Sequence, residues 1–229
     1  MSYQLHVANK NYSSWSMRPW VLMKALGIPF RETLTPFVQP GEASPFAQFS
    51  PSGKVPVLMH NGLAIWDSLA IAEYLAESYA HAWPSNAPAR AWARSAAAEM
   101  HSGFVALRDE CSMNCSLTID IGQPSAALQK DLDRLSTLWA DGLAQFHGPW
   151  LGGSDFTTVD AMFAPVAVRI RGYQLTLADA QATAYAKQLL HHPAVRQWVH
   201  EGIEEPWTDA AHEQDCIRGR PVLEDRRSA

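Results

Sequence analysis

Cysteine is scarce in this chain, three in 229 residues, and an odd number cannot make a closed disulfide framework. That scarcity fits a reducing compartment. The N-terminus also lacks a basic region followed by an apolar core, so the expectation is a cytoplasmic protein without a signal peptide. No Cys-x-x-Cys lies near the first helical segment, which argues against dithiol exchange. There is no Lys/Arg run, and a net charge of −5 with a pI near 6.0 argues against a nucleic-acid surface. No uninterrupted apolar stretch approaches the ~18–20 residues of a membrane span, and no internal repeat is visible. What is present is a hydrophobic content of 47% against 18% charge, a soluble globular composition with room for one large domain or two small ones.

Three serines crowd into Asn11-Tyr12-Ser13-Ser14-Trp15-Ser16-Met17-Arg18, between a strand-like run, Gln4 to Ala8, and a segment from Trp20 to Leu26 that reads as a helix closed by Gly27. The first N–H groups of a helix have no internal partners and favour a negative charge. A serine hydroxyl there either caps the helix or donates to a bound anion. A second extended piece follows at Phe30 to Leu34. The link Thr35 to Gly53 carries four prolines and is expected to be irregular, with one short helical turn near Phe46. Val55 to Met59 and Leu63 to Trp66 read as strands joined by the hairpin signal Asn61-Gly62. Asp67-Ser68 then opens a helix with Ile71, Leu75 and Tyr79 on one face.

Residues 1–80 thus form a small α/β unit, and 81–88, which carries two prolines and breaks the pattern, reads as a linker. Residues 89–229 are expected to be all-helical, with one long helix over Ala89 to Cys115, another from Pro124, an apolar helix after Thr157 to about Ile170, and further helices at Leu177–His191 and Val195–Gly202. A polar tail follows from Glu204.

Two further places could carry chemistry. Proline lacks the N–H a ladder needs, so Val55-Pro56 is either an edge-strand feature or a cis bond, the latter turning the Val55 backbone toward an extended ligand. Asp67-Ser68 is either a plain helix cap or a recognition site for an amino-acid zwitterion, with Ser68 and the free N–H groups on the carboxylate and Asp67 on the ammonium. Cys111 and Cys115, four apart, have no His or Asp at matching spacing, so no metal is expected.

The serine turn, Ser50-Pro51-Ser52-Gly53-Lys54-Val55-Pro56-Val57-Leu58, Asp67-Ser68-Leu69-Ala70-Ile71-Ala72-Glu73-Tyr74-Leu75 and Phe156-Thr157-Thr158-Val159-Asp160-Ala161 occur in the order in which similar segments occur in the glutathione transferase superfamily. The resemblance covers nearly the whole chain. It implies a thioredoxin-like N-terminal domain followed by an all-helical C-terminal domain, with glutathione as co-substrate, no metal, a small electrophile as partner and a homodimer. Within the superfamily the serine turn resembles the zeta-class Ser-Ser-Cys-x-Trp-Arg in a bacterial-style, serine-type member. Trp15 stands where that pattern has cysteine, and Met17 where it has tryptophan. By the match, Ser13 faces the glutathione sulfur with Ser14 as helper or cap, and Lys54, Val55, Pro56, Asp67 and Ser68 hold the tripeptide. Gln39 or its neighbours are a further place of contact. Trp15, His101, Phe104 and Arg108, with Met100, border the electrophile pocket. Thr157 and Asp160 are a structural capping box.

The implied function is a detoxification-type transferase whose serine hydroxyl and helix N-terminus stabilise the thiolate. A glutathione-dependent isomerase of the maleylacetoacetate type, or a dehalogenase, would use the same thiolate. A non-catalytic protein-interaction module is the alternative of another class.

Overall fold

The computed structural model describes residues 2–38 and 41–227; Gln39 lies outside them. Strand β1 (Tyr3–Val7) pairs in parallel with β2 (Phe30–Leu34) and antiparallel with β3 (Val57–His60), which pairs antiparallel with β4 (Leu63–Trp66), giving the order β2-β1-β3-β4. Helix α1 (Ser14–Ala25) makes the crossover between the parallel strands, and α2 (Ser68–Ala76) follows β4. Asn61 and Gly62 both have positive φ, 51° and 78°, as a two-residue hairpin turn requires. Val55-Pro56 is cis and precedes β3, which is internal to the sheet, so the edge-strand alternative does not apply.

The helical part comprises α3 (Ala87–Ser102), α4 (Val105–Glu110), α5 (Ala126–Phe146), α6 (Thr158–Gly172), α7 (Ala180–His191), α8 (Pro193–Ile203) and α9 (Ala210–Ile217). The single long helix expected over Ala89–Cys115 is broken. Gly103 ends α3, and Phe104 takes a left-handed conformation (φ 52°, ψ 46°) that no α-helix continues through. Cys111 caps α4 and Cys115 lies in a bend before β5, so the two do not share a helix face.

A two-stranded ribbon, β5 (Leu117–Ile119) with β6 (Val222–Asp225), adds strand to the otherwise helical part and folds the polar tail back on the protein. Among the described residues no helix is long and apolar enough to cross a membrane.

Helix α6 is buried on almost every side and packs against α1, α3 and α7. Its start explains its position. Thr157 and Asp160 form a capping box, with the Thr157 N–H donating to Asp160 Oδ2 at 2.9 Å. Asp160 Oδ1 accepts from the Leu151 N–H (3.1 Å) and the Tyr185 hydroxyl (2.7 Å), so one carboxylate ties the α6 start to the preceding turn and to α7. Burial pushes its pKa up to about 6, opposed by those same donors.

Asp160→Ala is expected to lower the unfolding free energy by ~2–4 kcal/mol in urea denaturation, because three buried donors lose their acceptor; a loss below ~1 kcal/mol would contradict this role. The folded pKa lies above the unfolded value of 3.8, so the group's titration favours folding below that value and loses its effect as pH rises through about 6. The stability margin of the native protein over Asp160→Asn should therefore be smaller at about pH 7 than at about pH 4.

Candidate active site at the start of helix α1

The backbone turn Asn9–Ser13 sets the serines. The Tyr12 and Ser13 N–H groups both donate to the Asn9 carbonyl, at 3.2 and 2.9 Å, and the helix begins at Ser14, earlier than the apolar pattern suggested. Ser13 is the N-cap: its Oγ accepts from the Ser16 N–H (3.4 Å) and donates to Ser16 Oγ (2.8 Å). Ser14 begins the helix proper, and its Oγ accepts from Arg169 Nη2 at 3.4 Å. Arg169 reaches it from α6, held by its own Nε–H to the Cys111 carbonyl (2.7 Å).

Two adjoining cavities run from this turn. The smaller, about 370 Å³, is lined by Val55, Pro56, Trp66, Asp67 and Ser68; the larger, about 480 Å³, by Ser13, Ser14, Phe37, Phe46, Arg169 and His212. Trp15, Lys54 and Val55 line both, so the two are lobes of one cleft, the smaller within the sheet part and the larger between it and the helical part.

At the end of the smaller lobe Asp67 enters α2 with a positive φ of 75°. One carboxylate oxygen caps α2 by accepting from the Leu69 and Ala70 N–H groups (2.8 and 3.3 Å), and the other accepts from His101 Nε2 (2.6 Å). Burial opposes its charge, but the His101 hydrogen bond and the two N–H groups outweigh it and hold the pKa below the ordinary value. The Ser68 hydroxyl is buried and has no partner within the protein. An orphaned hydroxyl at the first residue of a helix is what a ligand carboxylate would satisfy.

Two cations lie behind Trp15, outside the lining of the cleft. Arg18, on α1, is 2% exposed, lies 4.1 Å from the Trp15 ring centre, and leaves Nε and Nη1 without hydrogen-bond partners. Arg108 approaches the same ring at 5.6 Å, and its Nη1 donates to the His101 carbonyl. Burial, with Arg169 and Arg108 nearby, pulls the Arg18 pKa down to about 9, and Asp67 opposes the shift. It remains charged at neutral pH. His101 thus stands behind Asp67 and against the Trp15 edge (5.3 Å), while Phe104 and Met100 are buried in the helical core, Phe104 6.4 Å from Phe163. Cys111, Cys115 and Cys216 are free and buried, with pKa values pushed up by burial to about 12, 12 and 11, so all three are neutral thiols. Among the described residues no three His, Cys, Asp or Glu side chains are grouped to hold a metal.

Several cleft residues escaped the sequence pattern. Phe37 and Phe46 come from the irregular link, and His212 and Asp215 from the tail. Arg169 alone left a legible sign, as a charge within the apolar run Ala161–Ile170. The tail residues are fixed by Glu213, which accepts from the Tyr12 hydroxyl (2.7 Å), Asn114 Nδ2 (3.0 Å) and Arg227 Nη1 and Nη2 (3.1 and 3.2 Å). His212 stacks on Phe37 with ring centres 4.5 Å apart.

The family described as glutathione S-transferase, N-terminal domain, matches residues 12–78, and that described as glutathione S-transferase, C-terminal domain, matches residues 125–201, together more than half of the chain. Glutathione S-transferase D7 of Drosophila melanogaster is 25% identical over 224 residues, 91% of this chain and 88% of that protein. Glutathione S-transferase T2 of Arabidopsis thaliana is 27% identical over 209 residues, 84% of this chain but 34% of that protein, so the chain spans about a third of this relative's length. Among solved structures, a glutathione transferase homologue from Burkholderia with bound glutathione superposes with a TM-score of 0.66 at 23% identity, over 88% of this chain and 98% of that one. Glutathione transferase Omega 3C from Trametes versicolor superposes with a TM-score of 0.65 at 22% identity, over 86% and 89%. At these identities the structural likeness shows the fold alone.

Glu213→Ala removes the acceptor that Tyr12, Asn114 and Arg227 share, and is expected to raise amide hydrogen exchange over residues 210–217 by at least about tenfold without changing that of α6. Unchanged exchange in α9 would mean that its apolar contacts alone hold it.

Proposed function

Because this chain belongs to the glutathione S-transferase superfamily, we propose that it binds glutathione along the two-lobed cleft and conjugates it to small electrophiles. The observation that carries this reading is the unpartnered Ser68 hydroxyl beside Asp67, in a lobe that runs past Val55 to the start of α1. Ser68 and the α2 N-terminus suit the carboxylate of the γ-glutamyl end, and the Asp67 carboxylate suits its ammonium. The Val55 backbone suits the middle of the tripeptide, and Lys54 its glycyl carboxylate.

A free thiol with a pKa near ~8.5 is only a few per cent ionised at neutral pH. A hydroxyl donor at a helix N-terminus can lower that by ~2 units, about 3 kcal/mol of preference for the thiolate. We assign that donor to Ser14, reversing the order the zeta-class resemblance implies. Ser13 donates its hydrogen to Ser16, whereas Ser14 accepts from Arg169 and keeps its own hydrogen to give. Arg169, in turn, polarises the Ser14 hydroxyl and adds positive potential where negative charge develops. Ser14 remains a donor throughout, and the thiol proton leaves to solvent. With Trp15 in place of a cysteine, the chemistry is serine-assisted.

Retention on immobilised glutathione and binding by calorimetry test the reading; no binding at millimolar ligand would sink it. Ser68→Ala should weaken glutathione binding about tenfold while leaving stability unchanged or slightly raised, since its hydroxyl has no partner to lose. Ser14→Ala should lower kcat/KM for conjugation more than about tenfold, and Ser13→Ala should act mainly on stability, by ~1 kcal/mol, as loss of a cap does. A larger kinetic loss for Ser13→Ala would return the role to Ser13.

A further inference from the structure

The larger lobe contains a buried cation with no counter-ion. Arg169 is 5% exposed, and three of its five N–H groups are engaged: with the Cys111 carbonyl (2.7 Å), the Pro165 carbonyl (3.3 Å) and Ser14 Oγ (3.4 Å). None of these is a carboxylate. One N–H on each terminal nitrogen remains, and the residue lines the lobe. Burying a guanidinium among neutral acceptors is costly, and an uncompensated one is best relieved by an anion.

The acidic groups nearby are already matched. Asp215, in the same lobe, accepts from the Ser112 hydroxyl and pairs with Arg218 at 2.5 Å. Glu213 is held by Arg227, Tyr12 and Asn114. Asp67 lies in the other lobe, engaged by His101 and the α2 N-terminus.

The walls of this lobe are flat and aromatic. Phe37 and Phe46 meet edge to face (ring centres 5.8 Å apart, planes at 77°), and His212 stacks on Phe37 at 27°. Met113 adds a flexible apolar surface. A planar ring packs well against the aromatic surface these side chains turn to the lobe, and a planar carboxylate is the natural bidentate partner of a guanidinium.

We propose that the larger lobe takes an aromatic carboxylate as the electrophilic co-substrate, with its carboxylate on Arg169 and its ring among Phe37, Phe46 and His212. The co-substrate role rests on the transferase reading above; the binding site does not. Glutathione's own carboxylates have other partners in that reading, Ser68 with the α2 N-terminus and Lys54. For an aryl halide of this kind the thiolate lone pair forms the carbon–sulfur bond, and chloride leaves with the electrons of the carbon–chlorine bond. The thiol proton has already passed to water, so charge and atoms balance.

The test compares 4-chloro-3-nitrobenzoate with its uncharged isostere 4-chloro-3-nitrobenzamide, titrated into the full chain with S-methylglutathione present as an unreactive occupant of the tripeptide site. The acid is expected to bind at least about tenfold more tightly than the amide, and Arg169→Gln to abolish the difference. Equal affinities in the native protein overturn the proposal without recourse to the variant, as does loss of acid binding when S-methylglutathione is added. With glutathione in its place, kcat/KM for the acid should exceed that for the amide by a similar factor. Turnover of neutral 1-chloro-2,4-dinitrobenzene with no preference for the acid overturns this proposal alone. No turnover of any of the three overturns the transferase reading and the co-substrate role with it.

Discussion

The position of the serine turn depends on how residues 9–11 are anchored. Asn11 Oδ1 accepts from the Cys115 N–H, the Ser116 N–H and the Ser116 hydroxyl, at 2.9, 3.1 and 2.9 Å. The Lys10 ammonium pairs with Glu32 on β2 and Glu201 on α8 and lies over the Trp20 and Trp198 rings. The Lys10 carbonyl accepts from Trp198 Nε1 (2.9 Å), and Glu205 takes the Lys10 and Asn11 N–H groups. Helix α8 can come this close because of Gly202, where a Cβ would stand 2.9 Å from the Asn11 nitrogen. Two consecutive residues, Lys10 and Asn11, thus bind the sheet to the helical part, and the serines that follow inherit a fixed position between the two. Buried and multiply hydrogen-bonded, this junction has little freedom to let the cleft shear.

Much of the architecture was legible because local signals agreed with one another. Alternation identified the strands, Asn61-Gly62 the hairpin, and Thr157 with Asp160 the start of the central helix. The cis bond at Pro56 was one of two options that a proline beside strand residues leaves, and only the pairing of β3 on both sides selected it. The break between α3 and α4 was not legible, because alanine-rich sequence on one side and apolar residues on the other favour helix, and a single Gly-Phe pair overrides both. Nor was β5, three residues long, stabilised by a strand more than a hundred residues away.

The cleft was legible in halves. Its sheet side is contiguous in sequence and carries recognisable turns and caps. Its helical side is assembled from single residues on separate elements, Arg169, His212 and Met113, whose neighbours in space are distant in sequence. The two serines illustrate the same limit at close range. Adjacent and chemically identical, they differ only in what surrounds them, Ser16 for one and Arg169 for the other. No pattern in a heptapeptide conveys that difference.

The hydrogen bond between Tyr12 and Glu213 joins residues 201 positions apart. During synthesis, at ~5–20 residues per second, the sheet part leaves the ribosome many seconds before α9 exists. Over that interval Phe37, Phe46 and the base of the cleft have no cover, and Arg169 arrives before the wall that shields it. Closure of the larger lobe therefore waits on the last part of the chain to be made.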